Sequence, residues 1–149
     1  MAIDWPGAIR VGLLAFWALW LTLVVVTNIF DGLKAAGALP GSWRFASGNY
    51  DAMREVTARY DTPGWIVGLL FAGAVLWEIA AMVLMWRALL AWGAGDPTPV
   101  YLAFAVSLGL WAAFILADEV FSAYEMSRSH WLIFGAQLLS LLAIVLLPE

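Results

Sequence analysis

Cysteine is absent from the 149 residues, which excludes disulfides, thiolate metal ligands, iron–sulfur clusters and covalently attached haem. Charge is scarce: Asp, Glu, Lys and Arg make up 12% of the chain, against about 25% in a soluble domain. A single histidine, His130, cannot supply both axial ligands of a haem or build a His-rich metal site. With 7 Lys+Arg against 11 Asp+Glu, net −4, there is no basic footprint, and no nucleic-acid partner is expected. What fills the chain is apolar: 64% hydrophobic residues, ten Trp and eight Phe, with a mean hydropathy of +0.89. A domain of this length leaves too much wet surface to hide that excess. Lipid must therefore solvate much of it, and a soluble enzyme or a disordered tail is excluded.

A helix needs about 20 residues, at about 1.5 Å each, to cross about 30 Å of hydrocarbon. Four runs qualify: residues 11–30, bounded by Arg10 and Asp31; residues 64–87, which contain Glu78; residues 100–121, which reach Asp118 and Glu119; and residues 131–147. The last two are short in uncharged residues, so both helices should continue into the polar stretch between them. Unpaired backbone is intolerable in lipid, so the runs should be helices and a few-stranded barrel is excluded. A signal peptide is a poor reading of the first run, which is too long, lacks a small-x-small site and follows Asp4 rather than a basic segment. The expected architecture is all-α: a polytopic membrane protein with four transmembrane helices in an antiparallel bundle, forming one domain over residues 1–149.

Asp61-Thr62-Pro63 and Asp96-Pro97-Thr98-Pro99 each place a capping side chain before a proline suited to a first helical turn. In the long first connection, Asn49 can cap a short helix over residues 50–60. Met53, Val56 and Tyr60 would share one of its faces, and Glu55 would pair with Arg59 at i,i+4. This segment reads either as an amphipathic helix on the bilayer surface or over the bundle mouth, or as a plain solvated loop helix. Arg10 and Arg87 lie on one side of the membrane, and Lys34, Arg44, Arg54, Arg59 and Arg128 on the other. That bias puts the second side in the cytoplasm. The expected location is multi-pass in a membrane, the bacterial inner membrane.

Glu78 is the sharpest polar feature, lying roughly 20 Å into the second run. An ionised carboxylate there costs on the order of 3 kcal/mol on insertion scales, so it must face the bundle interior. It reads either as a ligand, proton or ion site or as a structural hydrogen bond to another helix. A second polar cluster gathers at the face with five positive charges: Asn28, Asp31, Asp118, Glu119, Glu125, Arg128 and His130, with Gln137 about two turns deeper. Neighbouring helical residues point about 100° apart, so only one of Asp118 and Glu119 can face inward, with Arg128 as its counter-charge. With Glu78 these residues sketch a polar funnel opening at one face. Carboxylate, His and Asn side chains could hold a divalent cation, but no metalloenzyme spacing such as His-Glu-x-x-His occurs, and no metal or cofactor is expected. Ser127 or Ser129 beside His130 lacks any nucleophile elbow, so no catalytic residue is assigned and the chain is not expected to be an enzyme.

Trp5, Trp43, Trp65, Trp86, Trp92 and Trp131 fall near helix ends, as an aromatic belt would. Trp17, Trp20, Trp77 and Trp111 are deeper and each needs a partner for its indole N–H. Gly68, Ala72, Gly73, Ala105 and Gly109 would permit close helix approach.

Asn28-Ile29-Phe30-Asp31 after the first run, Glu78 in the second, and Glu119 two residues before Phe121, followed by Ser127, Ser129, Trp131 and an apolar tail, resemble a bacterial family of small integral membrane proteins of unknown function. The resemblance spans most of the chain. It implies four transmembrane helices and singles out Asn28, Asp31, Glu78 and Glu119, but implies no activity. Two functions then compete. Small size, no redox ligands and abundant deep Trp favour a non-catalytic accessory subunit of a larger membrane complex, with other membrane subunits or further copies of itself as partners alongside the lipid bilayer. The alternative is a small bundle that binds or transports a proton, cation or lipid-like ligand through Glu78, Glu119, Asp118, Asn28, Asp31, His130 and Arg128.

Overall fold

A computed structural model describes residues 4–148. Helix α1 spans Trp5–Ala35, α2 spans Asn49–Thr57 with a 3₁₀ turn over Ala58–Tyr60, α3 spans Gly64–Leu90, α4 spans Thr98–Phe121 and α5 spans Tyr124–Leu146. No strand occurs among the described residues. Helices α1, α3, α4 and α5 are each long and apolar enough to cross a membrane. All four are longer than the lipid-length minimum; α1, at 31 residues, is roughly 46 Å long. Its ends are tied locally: the Asp4 carboxylate accepts from the Gly7 N–H at 3.0 Å, and Gly37, with φ +74°, turns the chain after Ala36.

Helix α3 packs on α1 and α4, and α4 packs on α5, which makes a thinner contact back to α1. Between α1 and α3, Thr22 meets Trp86, Asn28 meets Glu78 and Gly32 meets Phe71. The core is concentrated towards the end of the molecule that holds the α3–α4 turn. Leu14, Ala18 and Leu21 of α1, Ala81, Met85 and Ala88 of α3, Val100, Ala103 and Phe104 of α4, and Ile144 of α5 are buried together there. Helix association in lipid gains little from the hydrophobic effect, so small residues that allow close van der Waals packing matter more.

Of the small residues expected to allow close approach, Gly109 does so and the others do not. Ala72, Gly73 and Ala105 are exposed, and an added Cβ at Gly68 or Gly73 would meet open space. At Gly109 a Cβ would lie 3.4 Å from Trp77, and close approach occurs besides at Ala81, Ala88 and Ala103 and at Gly32, where a Cβ would lie 3.2 Å from the Phe71 ring. Small-xxx-small spacing does not say which face of a helix is turned inward.

Indole N–H groups tie the helices together. Trp17 donates to the Ser140 hydroxyl at 2.9 Å, Trp86 to the Thr22 hydroxyl at 2.9 Å, and Trp77 to the Val106 carbonyl at 3.0 Å. Arg10 donates from Nε to the Ile144 carbonyl at 3.0 Å and from a terminal nitrogen to the Leu147 carbonyl. It thereby satisfies acceptors that the end of α5 would otherwise leave open.

The helix starts differ from those expected. Asp61 is in the left-handed region (φ 50°) and caps nothing; Pro63 stands at the α3 N-cap with no side-chain bond, and the Thr62 hydroxyl donates to the Thr57 carbonyl. At α4, Asp96 does accept from the Thr98 N–H at 2.9 Å. Gly48 (φ 81°), not Asn49, precedes α2. No Glu55–Arg59 pair forms, because α2 gives way to a 3₁₀ turn at Ala58 and the i,i+4 spacing is lost.

Candidate functional site

The cavity under α2

Towards the other end of the molecule the helices part around a cavity of about 400 Å³. Trp20, Val24 and Asn28 of α1 line it, with Phe71, Val75 and Glu78 of α3 and Trp111, Phe114 and Asp118 of α4. Met126, His130 and Ile133 of α5 close another side, and Asn49, Met53, Val56 and Thr57 of α2 lie across it. The lining is mostly hydrocarbon and aromatic ring with a few polar groups, the usual make-up of a small-molecule site.

Glu78 is half-way along α3 and 3% exposed. Both of its carboxylate oxygens accept from the Asn28 Nδ2, at 2.9 and 2.7 Å. The Asn28 carbonyl oxygen in turn accepts from the Asn49 Nδ2 at 2.8 Å. Three helices are thus joined by a row of amides pointing at one carboxylate. No cationic side chain pairs with Glu78 among the described residues.

Asp118 and His130 form the second polar centre. Asp118 is buried, and its Oδ2 lies 2.7 Å from His130 Nδ1, the only ion-pair contact among the described residues. The cause is a tight turn. Ser122, held at φ 52°, and Ala123 end α4 and start α5, and the Ala123 N–H donates to the Asp118 carbonyl at 2.8 Å. Asp118, close before the turn, then faces His130 after it. The His130 ring stacks on Phe114 at 5.1 Å and lies 5.9 Å from Trp111.

This corrects the expectation for Arg128, which is exposed and unpaired. Residues two apart on a helix point about 200° apart, so a helix that turns His130 inward turns Arg128 outward. Glu119 is exposed as well. Asp31 is buried but outside the cavity lining, and its work is structural: Oδ2 accepts from the Tyr50 N–H at 2.7 Å and from the Ser47 hydroxyl at 3.1 Å, tying α2 to α1. Of the seven sequence candidates, Asn28, Glu78, Asp118 and His130 meet at the cavity, Asp31 anchors its cover, and Glu119 and Arg128 stand apart. No group of three or more His, Asp or Glu among the described residues could hold a metal ion.

Sequence reasoning missed Asn49, which it read as a cap, together with the lining ring of Phe114. An asparagine in the first turn of a short helix between two apolar spans was the available signal. At the far end of α2 the Tyr60 hydroxyl donates to the Val120 carbonyl at 2.6 Å, so that cover is tied at both ends. Trp111 Nε1 on the cavity wall, and Ser107 Oγ and both amide atoms of fully buried Gln137, have no hydrogen-bond partner. No family model, curated protein or solved structure matches this chain.

Proposed function

We propose that this is a multi-pass membrane protein whose four long helices cross the bilayer as an antiparallel bundle and bind a small amphiphilic ligand in the cavity beneath α2. The observation that carries it is Glu78: a buried carboxylate with no cationic partner, on the wall of a roughly 400 Å³ cavity. A carboxylate serving only as a tie between helices would be as well served by a neutral amide, which is cheaper to bury. The handle for the ligand is the Glu78–Asn28–Asn49 row, and its apolar wall is ring and methyl surface. Helix α2 lies at the membrane surface as the cover. The role is binding or transport rather than catalysis, because the polar set has no nucleophile–base pair.

Native mass spectrometry on protein extracted in mild detergent from its own membrane tests this. Retained small-molecule mass on the wild-type chain, lost in Glu78→Gln, is the expected result. An accessory subunit is the second reading. It draws on α5, which buries only Gln137, Ser140 and Ile144 and so leaves most of its surface for other subunits. Unrelated chains in fixed stoichiometry with no bound ligand would favour it.

A further inference from the structure

Electrostatic character along the cavity wall is one-sided. The acids Glu78 and Asp118 line it, while Arg10, Lys34, Arg44, Arg54, Arg59, Arg87 and Arg128, all seven lysines and arginines of the chain, do not. His130 is the one basic group on the wall, and it is engaged with Asp118. The amides around Glu78 are oriented: Asn49 donates to Asn28, and Asn28 donates to both carboxylate oxygens. Every hydrogen bond in that row runs towards Glu78, so the arrangement solvates a negative charge and leaves it without a counter-ion. Trp20, Phe71, Trp111 and Phe114 supply ring surface on the same walls. A cation gains over such ring faces, and gains most where it is desolvated. Trp111 is 4% exposed with an unpaired indole N–H, one further donor for an acceptor on the ligand body.

Resting on the cavity-binding function proposed above, we propose that the ligand is a lipophilic monovalent cation, an organic ammonium or phosphonium, with its charge at Glu78 and its apolar body against the aromatic walls. An anion of the same shape would meet two carboxylates and no free base. A strongly hydrated inorganic cation would find too few oxygen ligands in a site lined mostly by carbon.

Two probes of nearly identical shape and opposite charge separate these cases: tetraphenylphosphonium and tetraphenylborate. Equilibrium binding of each is measured on the full chain in uncharged detergent micelles, with Glu78→Gln, Phe114→Ala and the exposed control Glu119→Gln. The expected result is saturable tetraphenylphosphonium binding, with tetraphenylborate at least tenfold weaker. Glu78→Gln should lose at least tenfold in phosphonium affinity, Phe114→Ala several-fold, and Glu119→Gln nothing. Equal affinity for the two ions, or phosphonium affinity unchanged by Glu78→Gln, overturns the cation assignment while leaving cavity binding intact. Saturation by neither ion overturns the cation assignment; together with no retained mass in the native spectrum, it overturns cavity binding as well. The comparison of ions on the wild-type chain stands even if a variant fails to fold.

Discussion

The two ends of the molecule are built on different principles. Around Phe104, Met85 and Leu14 the helices touch through alanines and interlocking apolar side chains, and the polar groups among them are neutral, such as the indole–hydroxyl pairs Trp17–Ser140 and Trp86–Thr22. Around Glu78 and Asp118 the same helices part, bury charge and polar amides, and need a fifth segment, α2, to cover the gap. Buried polar groups contribute little net stability even when fully bonded, and in lipid an interhelical hydrogen bond averages about 0.6 kcal/mol. The packed end therefore holds the fold, and the open end carries groups whose retention needs another explanation.

The largest effect should come from the packed end. Phe104→Ala removes a fully buried ring. Lipid is as apolar as the core, so the loss is chiefly the cavity term, on the order of 2–3 kcal/mol. Reversible unfolding in mixed micelles measures it; an effect below half a kcal/mol would break the division between the ends. Asn28→Ala comes next, at about 2 kcal/mol, because it strands the buried Glu78 carboxylate. The double change Asn28→Leu/Glu78→Leu sharpens the contrast. Replacing both partners by apolar groups is often neutral or stabilising, so this variant should be at least as stable as wild type while losing all phosphonium binding.

Asp31→Ala should act locally. Releasing the Tyr50 N–H and the Ser47 hydroxyl should speed amide hydrogen exchange through residues 49–57 and leave exchange in α3 and α4 unchanged. The smallest effect belongs to Asp96, whose carboxyl is held below the usual aspartate range by the Thr98 hydroxyl and backbone N–H. A carboxylate with a depressed folded value contributes stability that is complete above its unfolded value and fades as pH falls through the folded one. The thermal midpoint of wild type minus that of Asp96→Ala should thus be small and positive at neutral pH and shrink in acid.

The four long helices were legible because charge-free runs of lipid length have one physical solution. Glu78 and Asn28 were legible for the converse reason, as polar groups where lipid should not tolerate them. What the chain did not disclose depended on rotation and on turn length. Ser122 and Ala123 close α4 to α5 in two residues, which selects His130 over Arg128 as the partner of Asp118; a turn one residue longer would rotate α5 by about 100°. Asn49 was hidden because capping and cross-helix bonding draw on the same residue type, and only the packing of α2 against α1 and α3 decides between them.

The row from Asn49 through Asn28 to Glu78 also imposes a thermodynamic symmetry. The amide of Asn49 reaches the carboxylate only by way of Asn28, so whatever changes the hold of one end changes the hold of the other. Linkage makes that exchange reciprocal: if occupancy at Glu78 loosens α2 by some factor, then anything that lifts α2 must change the affinity at Glu78 by the same factor. An antibody fragment raised against residues 49–60 would then act as an allosteric effector of the membrane-embedded carboxylate without touching it.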